Sequence, residues 1–222
     1  GATKVIIHGV TADFNPADGT WHAAILLTGG LNTITAQAFN AGGQEVDSGS
    51  LDVIYVPPAN HLAGEQQGDL TLSGAFIVDQ TVTIPVGKGM KVEPGTVVMM
   101  KKGVSIVIEG QLLAVGTEAL PIRFTHLGDG TTWKQLLFVE AADSRFEHCI
   151  IEYADSAGGH QDYYVPGPRN YHEAVVALAC HLDFNDCTFQ KLPNDGPGAE
   201  GGALAMIADD ASHPGDTSAN FT

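Results

Sequence analysis

A repeated segment in the second half of the chain constrains the fold more than any other feature. Residues 145–151 read RFEHCII and residues 183–189 read DFNDCTF, with the phenylalanine and the cysteine at the same spacing. Residues 220–222 begin a third copy. A segment that recurs at an interval of this length indicates an architecture in which each copy packs mainly on its neighbours.

The spacing inside the repeat predicts a bend before each cysteine. Phe146 and Cys149 have opposite parity, so they would face opposite sides of one straight strand. A left-handed residue at His148 or Asp186, two residue types that tolerate positive φ, would return both side chains to the interior. Stacking of the copies, about 4.8 Å apart, then places Phe146 beside Phe184 and the two cysteines beside each other.

Short runs of β-forming residues also recur before this repeat and are joined by short turns. They comprise residues 70–72, 76–78, 82–84, 90–92, 97–99, 106–108, 111–113 and 122–124. Strands this short, with little helical periodicity between them, are typical of the coils of a parallel β-helix. We therefore predict a parallel β-helix over residues 69–222, with parallel pairing between successive coils.

Part of this region resembles a known family of repeat proteins. The resemblance is carried by residues 83–87, 92–98, 108–117 and 121–125. They are similar to the opening coils of right-handed parallel β-helix repeat proteins, which occur in large secreted or surface proteins of bacteria, including planctomycete-type multidomain chains. The resemblance implies a right-handed winding and an extracellular or cell-surface location. It implies little about activity, because the matched residues are turn formers and core positions.

The segment over residues 1–57 has a different pattern. Four runs, at residues 4–8, 21–27, 33–39 and 51–56, are rich in β-branched and aromatic residues and are separated by glycine- and asparagine-rich turns. Antiparallel strands at this spacing predict a small sandwich.

This segment resembles the second half of the immunoglobulin-like modules of long bacterial surface proteins. The similar residues are 5–10, 19–21, 31–38 and 53–55. Such modules begin with two further strands, which this sequence lacks. The expected fold class is therefore all-β: an incomplete immunoglobulin-like sandwich over residues 1–57, a linker over 58–68, and a right-handed parallel β-helix over 69–222.

Both ends are expected to continue into further structure. A β-helix that stops at Thr222 would expose a coil of unpaired backbone groups above an apolar core. We expect a truncated C-terminal end, and hence either a piece of a longer polypeptide or a member of an assembly. Neighbouring domains of the same parent chain are then natural partners.

Composition excludes some functions. Twenty-six acidic residues face ten basic ones, for a net charge of −16. This balance excludes a nucleic-acid binder that relies on phosphate neutralisation, and it disfavours docking on anionic lipid. In addition, no apolar run is long enough for membrane insertion. Three cysteines, at positions 149, 180 and 187, do not make a disulfide framework, and we expect them to be buried packing residues.

The richest set of candidate binding residues lies between the two copies of the repeat, in a long insertion over residues 155–173. It contains Asp155, His160, Asp162, Tyr163, Tyr164, Arg169, Tyr171 and His172. Tyrosine rings can stack on sugars while the polar side chains bind hydroxyl groups, so the insertion could bind a glycan. Alternatively, it is a surface loop whose tyrosines cover the edge of a coil.

Metal binding is a further possibility at two places. Asp155, His160, Asp162 and His172 could converge on a transition-metal ion, since imidazole and carboxylate together suit such ions. A second acidic segment, with Asp209, Asp210 and Asp216, could bind calcium or form a solvated loop. No cofactor is required by either interpretation.

The function expected from these patterns is noncatalytic. The chain would be a structural, adhesive or glycan-binding module, with a polysaccharide or another surface protein as its partner. The alternative is a polysaccharide lyase or glycoside hydrolase of the parallel β-helix type, with a groove formed by the later coils and residues 155–173. No nucleophile motif or paired-carboxylate signature assigns a catalytic residue, and the acidic charge would repel a polyanion unless calcium bridged it.

Overall fold

A computed structural model describes residues 1–128, 132–155, 171–193, 200–207 and 217–222, without the side chains of residues 171, 172, 200 and 201. The chain divides into two compact units, Gly1–Tyr55 and Val56–Thr222. The described residues contain β-strands and turns and no helix, so the chain belongs to the all-β class.

The first unit contains six strands. They are β1 (Lys4–Ile7), β2 (Val10–Thr11), β3 (Asp13–Asn15), β4 (Thr20–His22), β5 (Gly30–Phe39) and β6 (Glu45–Tyr55). Four of them form an antiparallel sheet in the order β2-β1-β5-β6, and β3 and β4 form a separate hairpin. The turn before β6 uses Gly43 at a φ of 78°, a conformation that glycine adopts without a steric penalty.

The predicted immunoglobulin-like sandwich is wrong. A sandwich needs two sheets that bury a shared core, whereas this unit has one sheet and a hairpin. The run predicted as a strand at residues 21–27 leaves strand conformation after His22, and Leu26 is 95% exposed. Only Val5 and Ala12 are buried among the apolar side chains of the unit.

The second unit begins with strands β7 (His61–Glu65), β8 (Leu70–Leu72), β9 (Ala75–Ile84), β10 (Gly89–Val92), β11 (Val97–Met100), β12 (Ile106–Ile108), β13 (Gln111–Val115) and β14 (Ile122–His126). It continues with β15 (Leu136–Val139), β16 (Ser144–Glu147), β17 (Cys149–Glu152), β18 (Tyr171–Leu178), β19 (His181–Asn185), β20 (Thr188–Gln190), β21 (Glu200–Ile207) and β22 (Ser218–Phe221). All pairings between these strands are parallel.

These strands form two sheets. One has six strands in the order β22-β19-β16-β13-β10-β8. The other has ten: nine in the order β20-β17-β14-β11-β9-β12-β15-β18-β21, and β7, which pairs with β9 outside that order. The predicted linker, residues 58–68, thus includes a strand of the larger sheet, in which Leu62 is buried and pairs with Val78.

The predicted right-handed parallel β-helix is also wrong, although the all-β class is correct. The larger sheet is continuous, because the first half of β9 pairs with β11 and its second half pairs with β12. The sequence indicated two short strands here, separated by a turn at residues 79–81. These polar residues continue the strand instead. The Asp79 carboxylate lies 2.7 Å from Nδ1 of His61 and 2.5 Å from Nζ of Lys101.

The predicted stacking of the repeat is confirmed. Phe146 pairs with Phe184, and Phe184 pairs with Phe221, in adjacent strands of the six-stranded sheet. The ring centroids lie 4.8 Å and 5.2 Å apart, with interplanar angles of 5° and 10°. His148 and Asp186 have φ values of 47° and 49°, as the predicted bend requires. Cys149 and Cys180 are buried and Cys187 is half-buried.

Candidate binding face at Glu152

A buried carboxylate organises a polar face where strands β14, β17 and β20 end. Glu152 is the last residue of β17, and its side chain is only 4% exposed. The register pairs Glu152 with Gln190 of β20, while Phe124 of β14 pairs with Ile151. The same parallel ladder that stacks the core therefore places polar side chains of three strands next to one another.

Four donors surround the carboxylate of Glu152. Its Oε1 atom accepts hydrogen bonds from Arg123 Nη1 at 2.7 Å and from Thr125 Oγ1 at 3.1 Å. Its Oε2 atom accepts one from Gln190 Nε2 at 2.8 Å and lies 3.3 Å from Lys191 Nζ. Two cations, an amide and a hydroxyl group thus compensate a single buried negative charge, which is what burial of a carboxylate requires.

These contacts set the ionisation of the carboxylate. Burial alone would raise the pKa of Glu152, but the hydrogen bonds and charges of Arg123, Gln190 and Lys191 outweigh it and hold the pKa below its usual value. Glu152 is therefore ionised at neutral pH. In turn, contacts with Tyr153 and Glu152 raise the pKa of Lys191, which keeps its ammonium group charged.

An aromatic pair extends the face beyond the carboxylate. The Tyr153 and His126 rings lie with their centroids 4.0 Å apart, and Lys191 Nζ lies 4.9 Å from the Tyr153 centroid. Tyr153 and Lys191 both have positive φ, at 60° and 53°, so the chain turns at the same point in both layers. The Nδ1 atom of His126 is buried and has no hydrogen-bond partner among the described residues.

We refer to Arg123, His126, Glu152, Tyr153, Gln190 and Lys191 together as the Glu152 face. Arg123 and Lys191 keep 36% and 52% of their side-chain surface exposed, so their remaining N–H donors can reach a ligand. A guanidinium group has five N–H donors and an ammonium group three, whereas the carboxylate takes up only part of them. The arrangement can therefore bind oxygen-rich molecules such as sugars.

The predicted ligand residues are only partly within the described structure. Asp155 lies two residues after Tyr153 in the sequence and is half-buried. Its backbone N–H donates to the carbonyl of Trp133 at 2.8 Å. Tyr171 and His172 belong to β18, with their side chains outside the description. The remaining predicted residues, His160, Asp162, Tyr163, Tyr164 and Arg169, lie outside the described residues.

The predicted metal residues are not tested by this structure. Asp209, Asp210 and Asp216 lie outside the described residues. Within the part that is described, no group of three or more histidine, cysteine, aspartate or glutamate side chains could hold a metal ion. The calcium hypothesis for residues 209–216 therefore remains a prediction.

Sequence reasoning missed the Glu152 face, although the repeat contains a signal for it. The interval between Glu152 and Gln190 equals the interval between Arg145 and Asp183, and Tyr153 precedes Lys191 by the same interval. Extending the repeat beyond Ile151 would have placed these pairs side by side. The role of Arg123 was not visible, because β14 precedes β17 at a shorter interval outside that repeat.

A groove elsewhere in the second unit is another candidate binding site. It has a volume of about 550 Å³ and is lined by residues that include Asp69, Lys88, Glu109, Gln111 and Glu140. One of its carboxylates already has a partner within the chain, since Asp69 Oδ1 accepts a hydrogen bond from the backbone N–H of Gly89 at 2.9 Å. This groove lacks the aromatic rings of the Glu152 face, so we consider it the weaker candidate.

The chain matches no protein-family model, no curated protein and no solved structure. In the described part of the chain, no helix has the length and apolar character needed to cross a membrane.

Proposed function

We propose that this chain is a noncatalytic structural module of a bacterial cell-surface or secreted protein, and that its Glu152 face binds a neutral polysaccharide. The observation that carries the proposal is the pair of cations that contact Glu152, one of which, Lys191, lies over the Tyr153 ring. Partly exposed donors close to an aromatic ring match the chemistry of sugar hydroxyl groups.

The chemistry of Glu152 supports a noncatalytic role. A general acid must carry a proton at the working pH, whereas the pKa of Glu152 is held low. A glycosidase of the usual kind needs two carboxyl groups across the scissile bond. The described groups that contact the Glu152 carboxylate are all donors, so they supply no second carboxylate.

Charge favours a neutral ligand over an acidic one. The chain has a net charge of −16, which repels polyanions at a distance. Arg123 and Lys191 do not reverse this, because both pair with Glu152. Hydrogen bonding to uncharged hydroxyl groups remains available to their unused N–H groups and to the amide of Gln190.

The location is proposed from the sequence. Residues 5–10, 19–21, 31–38 and 53–55 are similar in sequence to segments of long bacterial surface proteins, although the sandwich expected from that similarity is not formed. A structural partner or polysaccharide would be encountered outside the cell. Fractionation of the source cells, with an antibody against this chain, tests the location. Recovery from the envelope or the medium supports it, and recovery only from the cytosol contradicts it.

An array of neutral and acidic polysaccharides tests the function, with binding and product release measured on the same samples. We expect binding to at least one neutral polysaccharide and no release of oligosaccharides. Lys191→Ala should weaken that binding about tenfold, the equivalent of one charge-assisted hydrogen bond. Lys102→Ala, at an exposed turn lysine, is the matched control and should bind like the unmodified chain. Product release, or equal binding by both variants, would overturn the proposal.

A further inference from the structure

Two cysteines of the repeat lie side by side in neighbouring layers. Ile150 pairs with Thr188 in parallel register, so the residues before them, Cys149 and Cys187, occupy equivalent positions. Adjacent strands place such residues about 4.8 Å apart at Cα, which lies within the range of disulfide-bonded cysteines. The separation needed for a bond between the two layers is therefore provided by the register itself.

The two thiols are close enough to affect each other's ionisation. Cys149 Sγ donates to the carbonyl oxygens of Ala114 and Glu147 at 3.3 Å and 3.4 Å, and Cys187 Sγ donates to the carbonyl oxygen of Asn185 at 3.3 Å. Neither cysteine is engaged in a disulfide.

The two cysteines differ in their access to solvent. Cys149 is fully buried, whereas Cys187 is half-buried. A small reagent from solution therefore reaches Cys187 first. The third cysteine, Cys180, is buried and lies outside this pair, so it provides an internal reference.

Ionisation supports the same order of reactivity. The neighbouring Cys149 thiol lowers the pKa of Cys187 to about 7, against the opposing effects of burial and of the nearby Asp186 carboxylate. The pKa of Cys149 is raised by its contact with Cys187, by burial and by Glu147. Burial raises the pKa of Cys180 to about 11. Since the thiolate is the reactive form, Cys187 is the nucleophile of the three.

We infer that Cys149 and Cys187 form a dithiol modification site, which a small-molecule disulfide oxidises to an intramolecular disulfide between neighbouring layers. The Cys187 thiolate attacks one sulfur of the small disulfide, whose S–S bond breaks and releases a thiolate. Cys149 then loses its proton and attacks the sulfur of Cys187, which releases the second thiolate. The two cysteines lose two electrons and two protons, and the small disulfide becomes two thiols.

Oxidised glutathione with the full chain tests this inference. Intact-mass analysis should show a product about 2 Da lighter, because two hydrogens leave, and peptide mapping should link Cys149 to Cys187. Cys149→Ser should stop at a mixed disulfide with one glutathione, since the resolving thiol is absent. Cys180→Ser is the matched control and should react like the unmodified chain.

Three results would overturn the inference. One is a stable glutathione adduct on the unmodified chain, which would mean that Cys149 does not resolve it. Another is modification of Cys180 before Cys187. The third comes from alkylation by iodoacetamide, which needs no variant. The rate of alkylation at Cys187 should rise as the pH passes through about 7. A rate that does not rise below pH 8 would contradict the order of reactivity.

Discussion

The two units of this chain use the same kind of strand in opposite ways. The longest strand of the first unit, β6, is exposed along almost its whole length. Of the described apolar side chains, Val5 is the one that its sheet buries, and Ala12 is buried nearby. In the second unit, β11 is buried at every position, and one continuous core extends from Leu62 to Phe184. Strand content therefore says little about stability, because the buried area depends on what faces each sheet.

The largest effect is expected from breaking the phenylalanine stack of the second unit. Phe184 is 2% exposed and lies between the rings of Phe146 and Phe221, so Phe184→Ala should lower the free energy of unfolding by about 3–5 kcal/mol. Leu51→Ala in the first unit, at a side chain that is 67% exposed, should change it by less than about 0.5 kcal/mol. Denaturant unfolding measures both, and equal losses would remove the contrast between the units.

A second prediction concerns space around the backbone. A Cβ atom at Gly110 would overlap the carbonyl oxygen of Lys88 and lie 2.6 Å from that of Pro85. Gly110→Ala should therefore destabilise the chain by about 1–3 kcal/mol, as overpacking does.

Gly49 in β6 is the matched control for Gly110, since a Cβ atom there would meet nothing within 4 Å. Gly49→Ala should be neutral or slightly stabilising, because it reduces the freedom of the unfolded chain. A similar loss at both positions, measured by thermal unfolding, would mean that the two backbones are equally crowded.

The Glu152 carboxylate should contribute to stability in a pH-dependent way. Its pKa is lower in the folded chain than in the unfolded one, so the contribution is full above the unfolded value, about 4.3, and is lost as pH falls through the folded value. Glu152→Gln should cost about 1–3 kcal/mol at pH 7, because Arg123 and Lys191 lose their partner.

The measurement is the free energy of unfolding of both proteins from pH 7 to pH 3. The difference between them should shrink as the solution becomes acidic. A difference that stays constant over that range would show that the charge of Glu152 is not the cause.

The smallest effect is expected at an exposed charge cluster of the second unit. Hydrogen bonds from Lys101 and His61 lower the pKa of Asp79. Because exposed ion pairs contribute little, Asp79→Asn should leave the denaturation midpoint unchanged within error. A clear loss would mean that Asp79 also holds β9 continuous, which would assign the shape of the larger sheet to this side chain.

The repeat allowed the interior of the second unit to be predicted, while its sheet organisation could not be. Phe146, Phe184 and Cys149 follow from spacing alone, because register repeats with the sequence. β9 continues through Asp79, whose partners His61 and Lys101 lie far from it in the sequence, and no local pattern shows such contacts. Similarly, Arg123 reaches Glu152 from a strand outside the repeat. The sandwich prediction was wrong because strand-forming residues do not specify a second sheet that packs against the first.

The left-handed residues of the second unit restrict how its sequence can change over evolutionary time. His148 and Tyr153 mark two corners of one layer, and Asp186 and Lys191 mark the same corners of the next, with the same spacing between them. One inserted residue between two corners would turn every later side chain to the opposite side. Mutation can therefore replace the side chains of these spans freely at exposed positions, whereas insertions and deletions within them are expected to be eliminated by selection.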